Sequence, residues 1–167
     1  MRLILAPIAL ASLALAGCGG GDGGGGEGDR LTKAGYEQAI QGLDRKLSAQ
    51  STEFGTLVGE LAREPAKADL KRVETETADF QEAARGAVDE YAKINPPEEV
   101  DDLHDRLTTG TGEFVDDLDE LRETAADGDR DAAAAEANKL QTGEFDSIKE
   151  LSKVTQEFIA KGYDLKS

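Results

Sequence analysis

From Tyr36 onward the apolar residues recur at alternating steps of four and three: Tyr36, Ile40, Leu43 and Leu47, then Phe54, Leu57 and Leu61, with Gln50 at the intervening position. A strand repeats every two residues, so only a helix keeps such a series on one face. The stripe is narrow, which is the seam of a helical bundle or coiled coil. A helix with one such seam must bury it against others of its kind.

Three further stretches carry related seams. The second reads Ala66, Leu70, Val73, Thr77, Phe80, Ala84, Ala87, Tyr91 and Ile94; the third reads Val100, Leu103, Leu107, Gly110, Phe114, Leu118, Leu121 and Ala125. In the fourth, expected from about Arg130 to Gly162, the inner stripe is Ala137, Leu140, Ile148, Leu151, Phe158 and Ile159. Thr32 is placed to cap the first helix, with Leu31 and Tyr36 as a hydrophobic staple. Pro65 suits the first turn of the second helix. Asn95-Pro96-Pro97 must end it, because proline has no N–H and disfavours helix in the residue before it. Asp127-Gly128-Asp129 reads as a turn with Asp129 as the next N-cap. Short connections place neighbouring helices antiparallel. The expectation for residues 30–167 is therefore an all-α domain, an antiparallel up-down-up-down four-helix bundle. Its alternatives are a helical hairpin that dimerises and a three-helix domain. Counting layers from the turns places Gly110 near Phe80, and Thr77 near Gln50 and Phe114. Thr108-Thr109-Gly110-Thr111-Gly112 is the weakest helical stretch, since each glycine costs about 1 kcal/mol relative to alanine.

Charge is strongly acidic, with a net of −16. Between Glu98 and Glu123 stand eleven acidic residues and only two basic ones, Arg106 and Arg122. Phosphates repel such a surface, which excludes nucleic acid as a partner, and anionic headgroups are disfavoured for the same reason. Glu113, Asp116, Asp117 and Glu120 fall at three- and four-residue spacings and so share a helix face. They form the candidate acidic docking face, for a basic envelope protein or for weakly bound divalent cations. A rigid helix face cannot supply the six to eight oxygens that calcium prefers, so binding there is expected to be loose.

Specific chemistry is sparse. Asp101-x-x-His104 is half of a di-iron carboxylate pattern, but His104 is the sole histidine and the pattern needs a second Glu-x-x-His. His104 reads instead as a partly exposed residue near a helix N-terminus. Asp127, Asp129 and Asp131 echo a calcium loop, yet Ala132 stands where the loop needs glycine and Asn138 where it needs glutamate. No Cys-x-x-Cys-His is present for haem, and no serine motif accompanies His104. Neither an enzyme nor a cofactor is predicted.

The N-terminus carries the one specific motif. After Arg2 an apolar run from Leu3 to Ala16 leads to Leu15-Ala16-Gly17-Cys18. The run is too short to span a bilayer, which takes about 20 residues. The tetrapeptide resembles the lipobox of bacterial lipoprotein signal peptides. That resemblance implies a signal at residues 1–17, cleavage before Cys18, and a lipid on its thiol. Cys18 is the only cysteine, so it has no disulfide partner within the chain. Residues 18–29 continue as a glycine-rich linker with a root-mean-square span of about 20 Å. No Lys-Ser or Lys-Thr follows these glycines, so they are not a phosphate loop.

Thr32-Lys33-Ala34-Gly35-Tyr36 after the linker, and Pro96-Pro97 leading to Leu103-His104, resemble uncharacterised helical lipoproteins of high-GC Gram-positive bacteria. The resemblance covers most of the chain after Cys18 and implies no activity. It implies an anchor in the outer leaflet of the plasma membrane. The expected protein is a lipid-anchored, extracytoplasmic, non-enzymatic binding or structural module of the cell envelope. The alternative is a cation- or solute-handling lipoprotein accessory to a transporter.

Overall fold

A computed structural model describes residues 30–165. The expected signal peptide, Cys18 and the whole expected linker, residues 18–29, lie outside the described residues. Among these residues there is no strand, and no helix is long and apolar enough to cross a membrane. The protein is all-helical: α1 (Lys33–Arg63), α2 (Leu70–Tyr91), α3 (Asp101–Asp117), α4 (Asp119–Ala126), α5 (Arg130–Thr142) and α6 (Asp146–Ala160). Helices α3 and α4 occupy the third expected stretch, and α5 and α6 the fourth.

The helix starts follow the capping residues. Thr32 Oγ1 accepts from the Gly35 N–H at 3.2 Å, and Asp129 Oδ1 accepts from the Ala132 N–H at 3.0 Å. Pro65 opens a separate 3-10 turn, Pro65–Lys67, rather than α2. Helix α2 begins only after Asp69, whose carboxylate accepts from the N–H groups of Lys71 and Arg72. An aspartate beside two orphan donors is a stronger start than a proline, which satisfies none. Ala66 is accordingly exposed rather than part of the seam.

Two apolar clusters form the core. One gathers Phe54, Leu57 and Leu61 of α1, Val73 and Phe80 of α2, Leu121 and Ala125 of α4, and Ala133 and Ala137 of α5. Phe80 lies at its centre, stacked on Phe54 at 4.6 Å and edge-on to Phe114 at 6.3 Å. The other gathers Tyr36, Ile40 and Leu43 of α1, Tyr91 of α2, Leu103 of α3, and Val154 and Phe158 of α6. Gln50 falls between the two clusters and is exposed, so the predicted layer of Gln50, Thr77 and Phe114 does not form as such.

The expected weak stretch at Thr108–Gly112 is continuous helix. Gly110 packs on α6 rather than on Phe80: a Cβ there would stand 3.2 Å from Leu151 Cδ2. The interruption falls instead at Leu118, between α3 and α4. There the Gln81 amide of α2 donates to the Val115 carbonyl at 2.9 Å and to Asp119 Oδ1 at 3.0 Å. A side-chain donor on a mid-helix carbonyl competes with the i→i−4 ladder.

The fourth stretch is interrupted at Gly143. With φ at 69° this glycine takes the left-handed conformation, which costs other residues about 1–2 kcal/mol. The Gly143 N–H donates to Leu140 O and the Glu144 N–H to Lys139 O, the bond pair of a Schellman stop. The break redirects the chain. Before it, α5 packs against α1 and α4; after it, α6 packs chiefly against α3. Arg106 fixes that second contact, its guanidinium donating to Glu150 at 2.7 Å and to Glu157 at 2.9 and 3.2 Å.

Candidate functional site

His104 is buried, only 4% exposed, contrary to the expectation of partial exposure. Four residues after Val100 and one after Leu103, it lies at the edge of the seam, where a wide apolar stripe covers it. One ring nitrogen, Nε2, lies 3.0 Å from the Tyr91 carbonyl, and the other, Nδ1, lies 3.1 Å from the Tyr36 hydroxyl. A carbonyl only accepts, so Nε2 carries the proton. Burial favours the neutral imidazole, and in that form Nδ1 accepts from the Tyr36 hydroxyl. Burial pushes its pKa below the ordinary value, against the Tyr91 carbonyl, Asp105 and Asp101, which act the other way. Both nitrogens are engaged in hydrogen bonds within the fold. Asp101 is also engaged, with Arg30 donating to its two oxygens at 2.6 Å each. The Asp101-x-x-His104 pair is thus divided between two structural roles.

Aromatic rings surround this centre. Tyr36 is edge-on to His104 at 5.6 Å and to Tyr163 at 5.8 Å, and stacks on Phe158 at 5.8 Å. Tyr163 reaches this position because the chain turns back after α6, with its N–H donating to Phe158 O. Burial raises the pKa of all three tyrosine hydroxyls; nearby Tyr163, Asp44 and Glu99 add to this at Tyr36, Tyr91 and Tyr163 respectively.

The predicted acidic face divides. Glu113 and Asp117 turn toward the α5–α6 connection, sharing a shallow recess with Lys139, Glu144, Asp146 and Ser147. Asp117 accepts a hydrogen bond from the buried Ser147 hydroxyl. Asp116 turns the other way, toward Arg85 of α2 at 4.0 Å. Glu120 lies beyond the Leu118 break and is exposed. Among the described residues no group of three or more histidine, cysteine, aspartate or glutamate side chains is arranged to hold a metal ion.

Sequence reasoning missed a cleft of about 290 Å³ near the His104 end. It lies where the chain, having followed α1 as α5, passes to α3 as α6 after Gly143. Ile40, Leu107, Leu151, Ile159 and Leu165 give it apolar surface, and Asp44 and Tyr91 give it a polar one. Tyr91 Oη donates to Asp44 Oδ1 at 3.1 Å. Burial raises the Asp44 pKa, opposed by that hydrogen bond and by Arg45. At 50% exposure Ile159 is the one large hydrophobic side chain left open among the described residues. The sequence signal was faint: Asp44 stands four residues after Ile40, beside the seam.

No family model, curated protein or solved structure matches this chain.

Proposed function

We propose that the chain is an extracytoplasmic lipoprotein, anchored to the outer leaflet of a bacterial plasma membrane through a lipid on Cys18. In this reading its helices form an up-down-up-down bundle that serves the envelope as a non-enzymatic binding or structural module. The observation that carries it is Leu15-Ala16-Gly17-Cys18 after a short apolar run, with Cys18 the only cysteine. The fold's beginning supports the same division of the chain. Immediately after the linker, Arg30 bonds to Asp101 and to the Pro96 carbonyl, and the Leu31 N–H donates to Asn95 O. The described domain is thus fastened to the α2–α3 connection from Arg30 onward. The two core clusters support the bundle: α1 runs from the Tyr36 cluster to the Leu61 cluster, and α2 runs back. Together α3 and α4 reverse that course, and α5 and α6 reverse it again.

Two chains or more of lipid hold a protein stably where one holds it marginally. Cys18→Ser is therefore expected to shift the protein from the membrane fraction to the soluble one, or to leave the precursor uncut. Mass spectrometry of the wild-type mature chain showing an unacylated N-terminus at another residue would overturn the reading.

A further inference from the structure

The cleft between α1 and α6 has a chemical bias. Its polar groups offer acceptors. The Thr111 hydroxyl donates to Leu107 O at 2.7 Å and the Thr155 hydroxyl to Leu151 O at 2.8 Å. Each proton is therefore spent on its own helix, leaving lone pairs for the cleft. The Tyr91 proton is spent on Asp44. Asp44 forms no ion pair within 4 Å among the described residues, and Arg45 acts on it only through space. An ionised carboxylate has about four acceptor positions, and a single hydrogen bond from Tyr91 is the contact made here. What fits is a donor carrying positive charge. The apolar walls specify the rest, since a hydrated metal ion gains nothing from Ile40, Leu107 and Leu151. The volume of about 290 Å³ is that of about ten waters at about 30 Å³ each. It lies at the small end of small-molecule pockets.

We propose that this cleft binds a small organic cation, an amine of roughly ten non-hydrogen atoms, with its ammonium on Asp44 and its apolar body against Ile40, Leu107 and Leu151. The inference stands whether or not Cys18 carries a lipid. The strongly negative net charge raises the local concentration of cations and favours their approach. Ile159, half exposed at the cleft, gains burial when the site fills.

The test is titration of the purified full-length chain with phenethylammonium chloride at pH 7.5, followed by NMR and calorimetry. The neutral 2-phenylethanol serves as the matched probe. The amine is expected to bind saturably at one site and at least tenfold more tightly than the alcohol. Asp44→Asn keeps an acceptor for the Tyr91 hydroxyl, so its melting curve should match the wild type while the amine's advantage disappears. Thr155→Phe, a substitution at an exposed position beside the cleft, should block both probes. The proposal is overturned if the amine does not saturate, if the alcohol binds equally well, or if Asp44→Asn binds the amine as the wild type does. It is also overturned if the chain dimerises through Ile159, shown by sedimentation that Ile159→Ser returns to monomer.

Discussion

Acidification should weaken this fold through one residue, and the sign follows from the burial of His104. The neutral imidazole donates to Tyr91 O and accepts from Tyr36, and burial depresses its folded pKa. The unfolded chain titrates near the ordinary histidine value of about 6.5. Below that value the unfolded chain holds a proton that the folded chain resists, so stability falls as pH falls. The contribution is complete above about pH 6.5, and its loss levels off once pH passes below the folded pKa. A single proton limits the slope to about 1.4 kcal/mol per pH unit, so the fall from pH 7.5 to 5.5 takes at most about 1.4 kcal/mol through this group. Domains of this kind hold only about 5–15 kcal/mol in all, which makes the change measurable. Urea unfolding at pH 7.5, 6.5 and 5.5 should show it in the wild type. His104→Gln keeps a donor and an acceptor but does not titrate, and should show a smaller loss over the same range. Equal losses in the two proteins would refute the reasoning. So would an NMR titration, unambiguous for a sole histidine, with its midpoint at or above 6.5.

Three further outcomes are expected. Phe158, fully buried against Tyr36 and Tyr163, should cost about 3–5 kcal/mol as Phe158→Ala, read by urea unfolding; a loss under about 1 kcal/mol would remove it from the core. Gly143→Ala places a side chain on a left-handed backbone and should cost about 1 kcal/mol or more, whereas Gly55→Ala, in mid-helix with nothing near its Cβ, should stabilise by about 0.5–1 kcal/mol. Glu113→Gln with Glu120→Gln should raise the melting temperature at low salt and much less at high salt, while Asp117→Ala should lower it at both, because the buried Ser147 hydroxyl loses its acceptor.

The helical class and the apolar seams were legible because period and capping act locally. Tyr36, Ile40 and Leu43 are buried as their spacing requires, and so are Val73, Phe80 and Tyr91. What a two-position seam omits is the width of the real stripe. His104, Gln81 and Val115 flank seam positions and are buried as well, because a helix packed among several neighbours hides more than a narrow line. The break in the third stretch was misplaced and that in the fourth was not expected, for different reasons. Gly143 had a local signal, a glycine followed by Asp146 and Ser147, but Ile148 and Leu151 continued the periodicity through it. Leu118 had none. Leucine favours helix, and the competing donor comes from Gln81, thirty-seven positions earlier.

The same distinction explains why the acidic face and the cleft exchanged importance. Spacing alone grouped Glu113, Asp116, Asp117 and Glu120. The tertiary structure then supplied each side with its own neighbours, Arg85 for Asp116 and Ser147 for Asp117. Asp44 carried no comparable pattern in the sequence. Its distinction arises only when Gly143 turns α6 toward α3, leaving a half-buried carboxylate beside apolar walls and lone pairs. An exposed acid is solvated whatever lies near it, and its pairs are worth at most about 1 kcal/mol. A half-buried acid has given up part of that solvation, and a cation that reaches it restores what water no longer supplies.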